Sequence, residues 1–215
     1  MFSKAHVFNL ALNALLLSRQ ISDTETDKSN ECKVLNQLWE VAFVGTLQDL
    51  DLDSTSVFKP LELLSRDLSG DFCADQNKWQ YIYKYPDKAT FFRRIRSTVV
   101  TDDRWTRIPM RIGMWDSPSG PVKAIFTNEI NAVGEWIPTD LPISSLDPCT
   151  VLAIATRLAS LAAPLITGKG ADKLRKTLEA QYVGHKTDAQ GTDRMENTNF
   201  ESEATMSEFV KIRLS

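Results

Sequence analysis

The chain has 215 residues, 42% of them hydrophobic and 25% charged, with a formal net charge of −3. That length buries a sound core and fits one domain with an appendage, while the charge argues against a dedicated nucleic-acid binder, which is usually basic. Three distant cysteines (Cys32, Cys73, Cys149) and two histidines (His6, His185) argue against a disulfide framework, a zinc site and a histidine-based metal centre.

The opening stretch, MFSKAHVFNLALNALLLSRQ, imitates a signal peptide, but Asn9 and Asn13 interrupt its apolar run and no small-x-small step follows. Val7, Leu10, Ala11, Ala14, Leu15 and Leu17 predict an amphipathic helix ending near Arg19. Polar residues 22–30 supply N-caps for a second helix over 29–50, with Val34, Leu35, Leu38, Val41, Ala42 and Leu47 on its inner face. Residues 53–77 read as a mixed connector with one helical turn near Pro60.

Strands are expected near 78–85, 93–100, 107–115 and 122–127, with a short one at 134–137. Trp79, Tyr81, Tyr83 and Tyr85 alternate as they do in a strand with one buried face. The same alternation beside arginines also describes a platform for stacking single-stranded bases. Pro86 forces Tyr85 to be extended, Asp87 caps a turn through Phe91-Phe92, and Arg93 opens the next strand. Tyr83, Tyr85, Pro86 and Asp87 thus form a structural corner. Turn chemistry recurs at 101–103 and 116–121.

Asp147-Pro148 marks a helix start, and Val151, Ile154, Ala155, Leu158, Leu161, Ala162 and Leu165 follow at helical spacing. Pro164 is expected to kink the last turn. Gly168-Lys169-Gly170 then turns the chain into a helix carrying Leu174, Leu178 and Tyr182, which completes an αα-hairpin. The most apolar stretch, 151–166, is shorter than the roughly 20 residues of a membrane span and contains Arg157, so a soluble chain without a membrane anchor is expected. Residues 186–215 lose the core pattern and read as an arm. Near its end Val210, Ile212 and Leu214 alternate with Lys211 and Arg213, a strand-like tail suited to a partner's sheet edge.

The expected fold is α+β: mainly a helical bundle (two N-terminal helices plus a C-terminal αα-hairpin), an inserted small antiparallel β-region, and an extended C-terminal arm. The expected organisation is one domain over 1–185 and the arm over 186–215. Within the domain lie the N-terminal helices (1–52), the connector (53–77), the β-region (78–140) and the hairpin (146–185).

Catalytic signatures are missing. The run GKGADK at 168–173 lacks phosphate-loop spacing and follows a helix. Asp49, Asp51 and Asp53 have calcium-loop spacing, but Ser54 and Pro60 stand where glycine and glutamate are required. No serine-elbow, zinc-protease or Cys-His pattern is present, so no enzyme and no cofactor are expected. Charge is segregated: residues 23–53 hold eight acidic and two basic side chains, residues 84–111 eight basic and three acidic. Glu31, Glu40 and Asp49 on one side, Arg93, Arg94 and Arg96 on the other, are candidates for contacts between copies.

One order of motifs is familiar. Two N-terminal helices precede L-W-E-V-A-F at 38–43, then Y-I-Y-K-Y-P-D at 81–87 with F-F-R-R-I behind it, I-F-T-N at 125–128, W-I-P at 136–138, and A-T-R-L-A-S-L-A-A-P-L-I-T-G at 155–168. Over roughly residues 5–190 this resembles the head-to-tail adaptor family of tailed bacteriophages, often called tail tubular protein A in short-tailed phages. The resemblance implies a structural virion protein, assembled in the host cytoplasm, that forms a dodecameric ring below the portal protein. Such a ring extends the DNA channel with only weak, non-specific DNA contact and carries nozzle, tail-tube, collar or fibre proteins beneath it. The arm would then reach the portal, giving a role to Phe209, Val210, Ile212 and Leu214. The alternatives are a neck or tail-completion protein one layer lower and, from another class, a single-stranded nucleic-acid binder using Trp79, Tyr81 and the arginines at 93–96.

Overall fold

The computed structural model describes residues 2–66, 79–96, 108–117, 120–168 and 170–213, with side chains described as far as residue 195. Cys73, the expected turn at 101–103, the far ends of the expected strands 93–100 and 107–115, connector residues 67–77 and Leu214 lie outside the described residues. Among those described are helices α1 (Lys4–Ala14), α2 (Asn30–Leu50), α3 (Pro148–Ile166) and α4 (Ala171–Arg213). The strands are β1 (Val57–Pro60), β2 (Leu63–Arg66), β3 (Tyr81–Lys84), β4 (Ala89–Arg96), β5 (Met110–Ser117), β6 (Gly120–Thr127) and β7 (Val133–Pro138). The chain divides into two compact units, a helical one of residues 1–55 with 141–215 and a β unit of residues 56–140.

In the helical unit α1, α2 and α3 begin where capping chemistry stands. Ser3, Ser29 and Asp147 accept from the amides of His6, Cys32 and Thr150, and Pro148 occupies the first turn of α3. Helix α1 stops at Ala14, short of the expected Arg19. Leu16 turns left-handed with φ 60°, and the Leu17 amide closes back on the Leu12 carbonyl at 3.0 Å, a C-terminal motif that satisfies otherwise orphaned carbonyls.

The helical core joins Phe8, Leu12, Leu15, Leu35, Leu158 and Leu178. Alanines 153, 155, 159, 162 and 163 are all buried, and their small side chains let the other helices approach α3 closely. By length and composition α3 could cross a membrane, contrary to the expectation from 151–166, but 61% of that window is buried inside the fold. Val41, expected to face inward, is 60% exposed, because α2 turns Ala42, Phe43 and Leu47 to the core instead.

The β unit overturns the expected balance of the fold. Among the described residues seven strands form two antiparallel sheets, ordered β1-β7-β4 and β2-β3-β6-β5, so the protein is mixed α+β with a substantial β component, not mainly a helical bundle. Two of the strands, β1 and β2, arise within the stretch read as a connector, where a 3₁₀ turn at Asp53–Thr55 replaces the helical turn expected near Pro60. The Tyr-Pro corner is also tighter than expected. The Ala89 amide returns to the Pro86 carbonyl at 3.1 Å, so β4 starts at Ala89 and takes in Phe91 and Phe92. Asp87 accepts from Lys84 at 2.7 Å across this turn.

Tyr81, Tyr83, Phe92, Ile95, Ile125 and Trp136 form one core of this unit. The Tyr83 hydroxyl donates to the Glu129 carbonyl at 3.0 Å and accepts from the Ala132 amide at 3.3 Å, so its polar end is satisfied. Gly134 has no room for a side chain: an added Cβ would sit 2.6 Å from Leu61 Cδ2 and 2.8 Å from Phe92 Cε2. Gly134→Ala should therefore cost about 1–2 kcal/mol by overpacking, read as a lower denaturation midpoint at unchanged m-value.

The expected extended arm is helix. α4 runs unbroken to Arg213, and Ala189 and Asp193 are buried. Residues 210 and 212 lie on helical backbone, so pairing with a sheet edge is not the geometry this backbone offers.

Candidate functional site

Among the described residues the densest polar cluster lies on sheet β1-β7-β4. Glu135 on the central strand β7 has no exposed surface, although its neighbours Gly134, Trp136 and Ile137 are apolar or small. Three guanidinium groups meet it. Arg94 donates through Nε at 2.5 Å and through Nη2 at 3.3 Å. Arg93 donates at 3.0 Å and also reaches Ser56 Oγ at 2.9 Å, and Arg96 Nε lies at 3.3 Å.

Local backbone geometry makes this possible. Strand β4 shifts register against β7 between Phe92 and Arg94, and such a bulge sets two residues of one strand against one of its partner. Consecutive arginines, which a regular strand would send to opposite faces, therefore both reach Glu135. Burial by itself raises the Glu135 pKa, but the Arg94 hydrogen bond and the charges of Arg94, Arg96 and Arg93 outweigh it and hold the carboxyl below the ordinary glutamate range.

The outer edge of the cluster faces water. The Arg94 and Arg96 side chains are 45% and 52% exposed, whereas Arg93 is 12% exposed. The Arg96 guanidinium lies 4.3 Å from the centroid of the Phe58 ring, a cation–π contact, and Phe58 is itself exposed. The result is two guanidiniums held in fixed orientation beside an open aromatic ring.

Two further constellations are structural pins of the helical unit. Asp49 accepts from Arg157 and from the Tyr182 hydroxyl, the latter at 3.0 Å, which ties together α2, α3 and α4. Asp193 accepts from the amides of Asp53 and Ser54 at 3.0 and 2.9 Å, while Gln190 donates to the Leu50 carbonyl at 3.0 Å. One turn of α4 thus serves both the end of α2 and the start of the 3₁₀ turn. An open groove of about 410 Å³ lies among α1, α3 and α4, lined by Leu10, Ala14, Leu152 and Ala155 together with His185 and Asp188 of α4.

The sequence-predicted residues fall unevenly on this map. Glu31 lies 3.8 Å from Arg19 and Asp49, though exposed, is held within its own chain, which leaves Glu40 as the exposed acid of that trio with no hydrogen bond or ion pair to a described residue. Arg93, Arg94 and Arg96 are brought together, but by Glu135, a residue the sequence reading did not single out. The corner residues Tyr83, Tyr85, Pro86 and Asp87 are confined to turn and core. Trp79 and Tyr81 are 7% and 6% exposed, so their rings offer no open stacking face. Phe209, Val210 and Ile212 fall on the helical backbone of α4.

Among the described residues no group of three or more His, Cys, Asp or Glu is arranged to hold a metal ion. Compared with known protein families and with curated proteins, the chain matches no family model and no curated sequence.

Proposed function

We propose that this chain is a structural assembly protein of the head-to-tail adaptor type. Copies form a ring below a phage portal, continue the DNA channel, and carry the nozzle or tail proteins. The reading comes from the order of motifs along the sequence, and the observation that carries it furthest is the form of α4. This helix is fastened to its own unit as far as Asp193 and then continues to Arg213, roughly another 30 Å at 1.5 Å per residue. Its composition there is dominated by Glu, Ser, Thr and Asn. A long helix of this composition is the kind that bridges to another body instead of joining a core.

The test follows from where the pin lies. A chain ending at residue 193 keeps Asp193 and its two amide contacts, so it should melt within a few degrees of the full chain. It should also fail to attach to the portal protein of the same virion in a sedimentation assay. Attachment equal to that of the full chain would contradict the proposal.

A further inference from the structure

We infer that a second copy of this chain seats the Glu40–Val41 face of α2 on the Phe58–Arg94–Arg96 face of sheet β1-β7-β4; the inference rests on the self-assembling reading above. Each face combines a charge with an exposed apolar side chain, and the charges are opposite. On α2, Glu40 is exposed and makes no hydrogen bond or ion pair with another described residue, and the adjacent Val41 is 60% exposed. On the sheet, Phe58 is 48% exposed with Arg96 over its ring.

The arginine face is prepared for a carboxylate. Arg94 and Arg96 are already oriented by Glu135, so little side-chain freedom remains to be lost when a second acid arrives. The planar guanidinium offers donors on more than one edge, which lets Arg96 keep its Nε contact to Glu135 while another edge faces outward. The Arg96 side chain is 52% exposed, so its outer edge offers a positive charge to an incoming glutamate. Charge complementarity of this kind sets register and suppresses wrong pairings. The two faces are different surfaces of one chain, so the contact is heterologous, the type from which rings are generated.

The experiment is sedimentation velocity on the full chain at low and high ionic strength, with Glu40→Lys, Val41→Asp and the double variant Glu40→Lys/Arg96→Glu. Both single changes lie on an exposed helix face and should melt as the wild type does. In the double variant Arg93 and Arg94 still hold Glu135, but the new carboxylate at 96 lies beside it, so that variant should remain folded with a lower midpoint. The expected result is self-association at low salt that weakens about tenfold in each single variant and returns toward wild type in the charge-swapped double. Self-association unaffected by Glu40→Lys, loss without restoration in the double variant, or a wild type that stays monomeric at low salt would each overturn the inference. Portal attachment of the same proteins separates the two readings. If Glu40→Lys attaches with wild-type stoichiometry, this contact is refuted while the adaptor reading stands; if wild type does not attach at all, the adaptor reading itself fails.

Discussion

Glu135→Ala should lower the stability of the chain by about 3–5 kcal/mol, the range expected when one member of a buried ionic group is removed. Arg93 is the reason the loss is large. It is only 12% exposed, so unlike Arg94 and Arg96 it cannot swing freely into water once the carboxylate is gone. Glu135→Gln keeps the shape and some acceptor capacity but not the charge, and should fall between the wild type and the alanine variant. Denaturant unfolding of the three proteins checks the order.

The same residue sets an acid sensitivity. The folded-state pKa of Glu135 is depressed below its ordinary value of 4.5, so its contribution is fully present above that unfolded value. It is lost as pH falls through the lower folded pKa. Wild type should therefore lose stability in acid below about pH 4.5, and the alanine variant should show a shallower slope over the same interval.

Asp193→Ala should cost about 2–4 kcal/mol and loosen α4 over the turn it anchors. A buried carboxylate that accepts from two backbone amides makes charge-assisted bonds, which are roughly twice as strong as neutral ones. Removing it leaves the Asp53 and Ser54 amides without these partners. Gln190 and Ala189 lie on the same stretch of helix, so their contacts should weaken together. Hydrogen exchange should show faster exchange across residues 186–193 with little change in α3; equal protection in the two proteins would mean that Asp193 is not the pin.

What the sequence reveals and what it hides follows from distance along the chain. The starts of α2 and α3 were legible because a cap and its amide partner lie within three residues, as with Ser29 and Cys32 or Asp147 and Thr150. The core strands around Tyr81–Lys84 and Gly120–Thr127 announced themselves by alternation and aromatic content. Strands β1 and β2 did not, because each has four residues and their exposed Lys59, Pro60 and Arg66 give no period.

The helical form of the arm is hidden for a similar reason. Its helix is held by a bond spanning 140 residues, while the local signal, Val210 and Ile212 alternating with basic residues, favoured a strand. Glu135 had one visible cue, a lone acid inside an otherwise apolar strand. Its significance depended on the register with β4 and on the bulge that delivers Arg93 and Arg94 together, and neither is written in periodicity.

The most direct test of assembly as the chain's role is native mass spectrometry of the full chain mixed with the portal protein of the same virion. The account predicts one added mass corresponding to a closed set of chains, a dodecamer by the adaptor resemblance, with no stable partial occupancies at saturation. An unchanged portal mass in the presence of excess folded chain would contradict it.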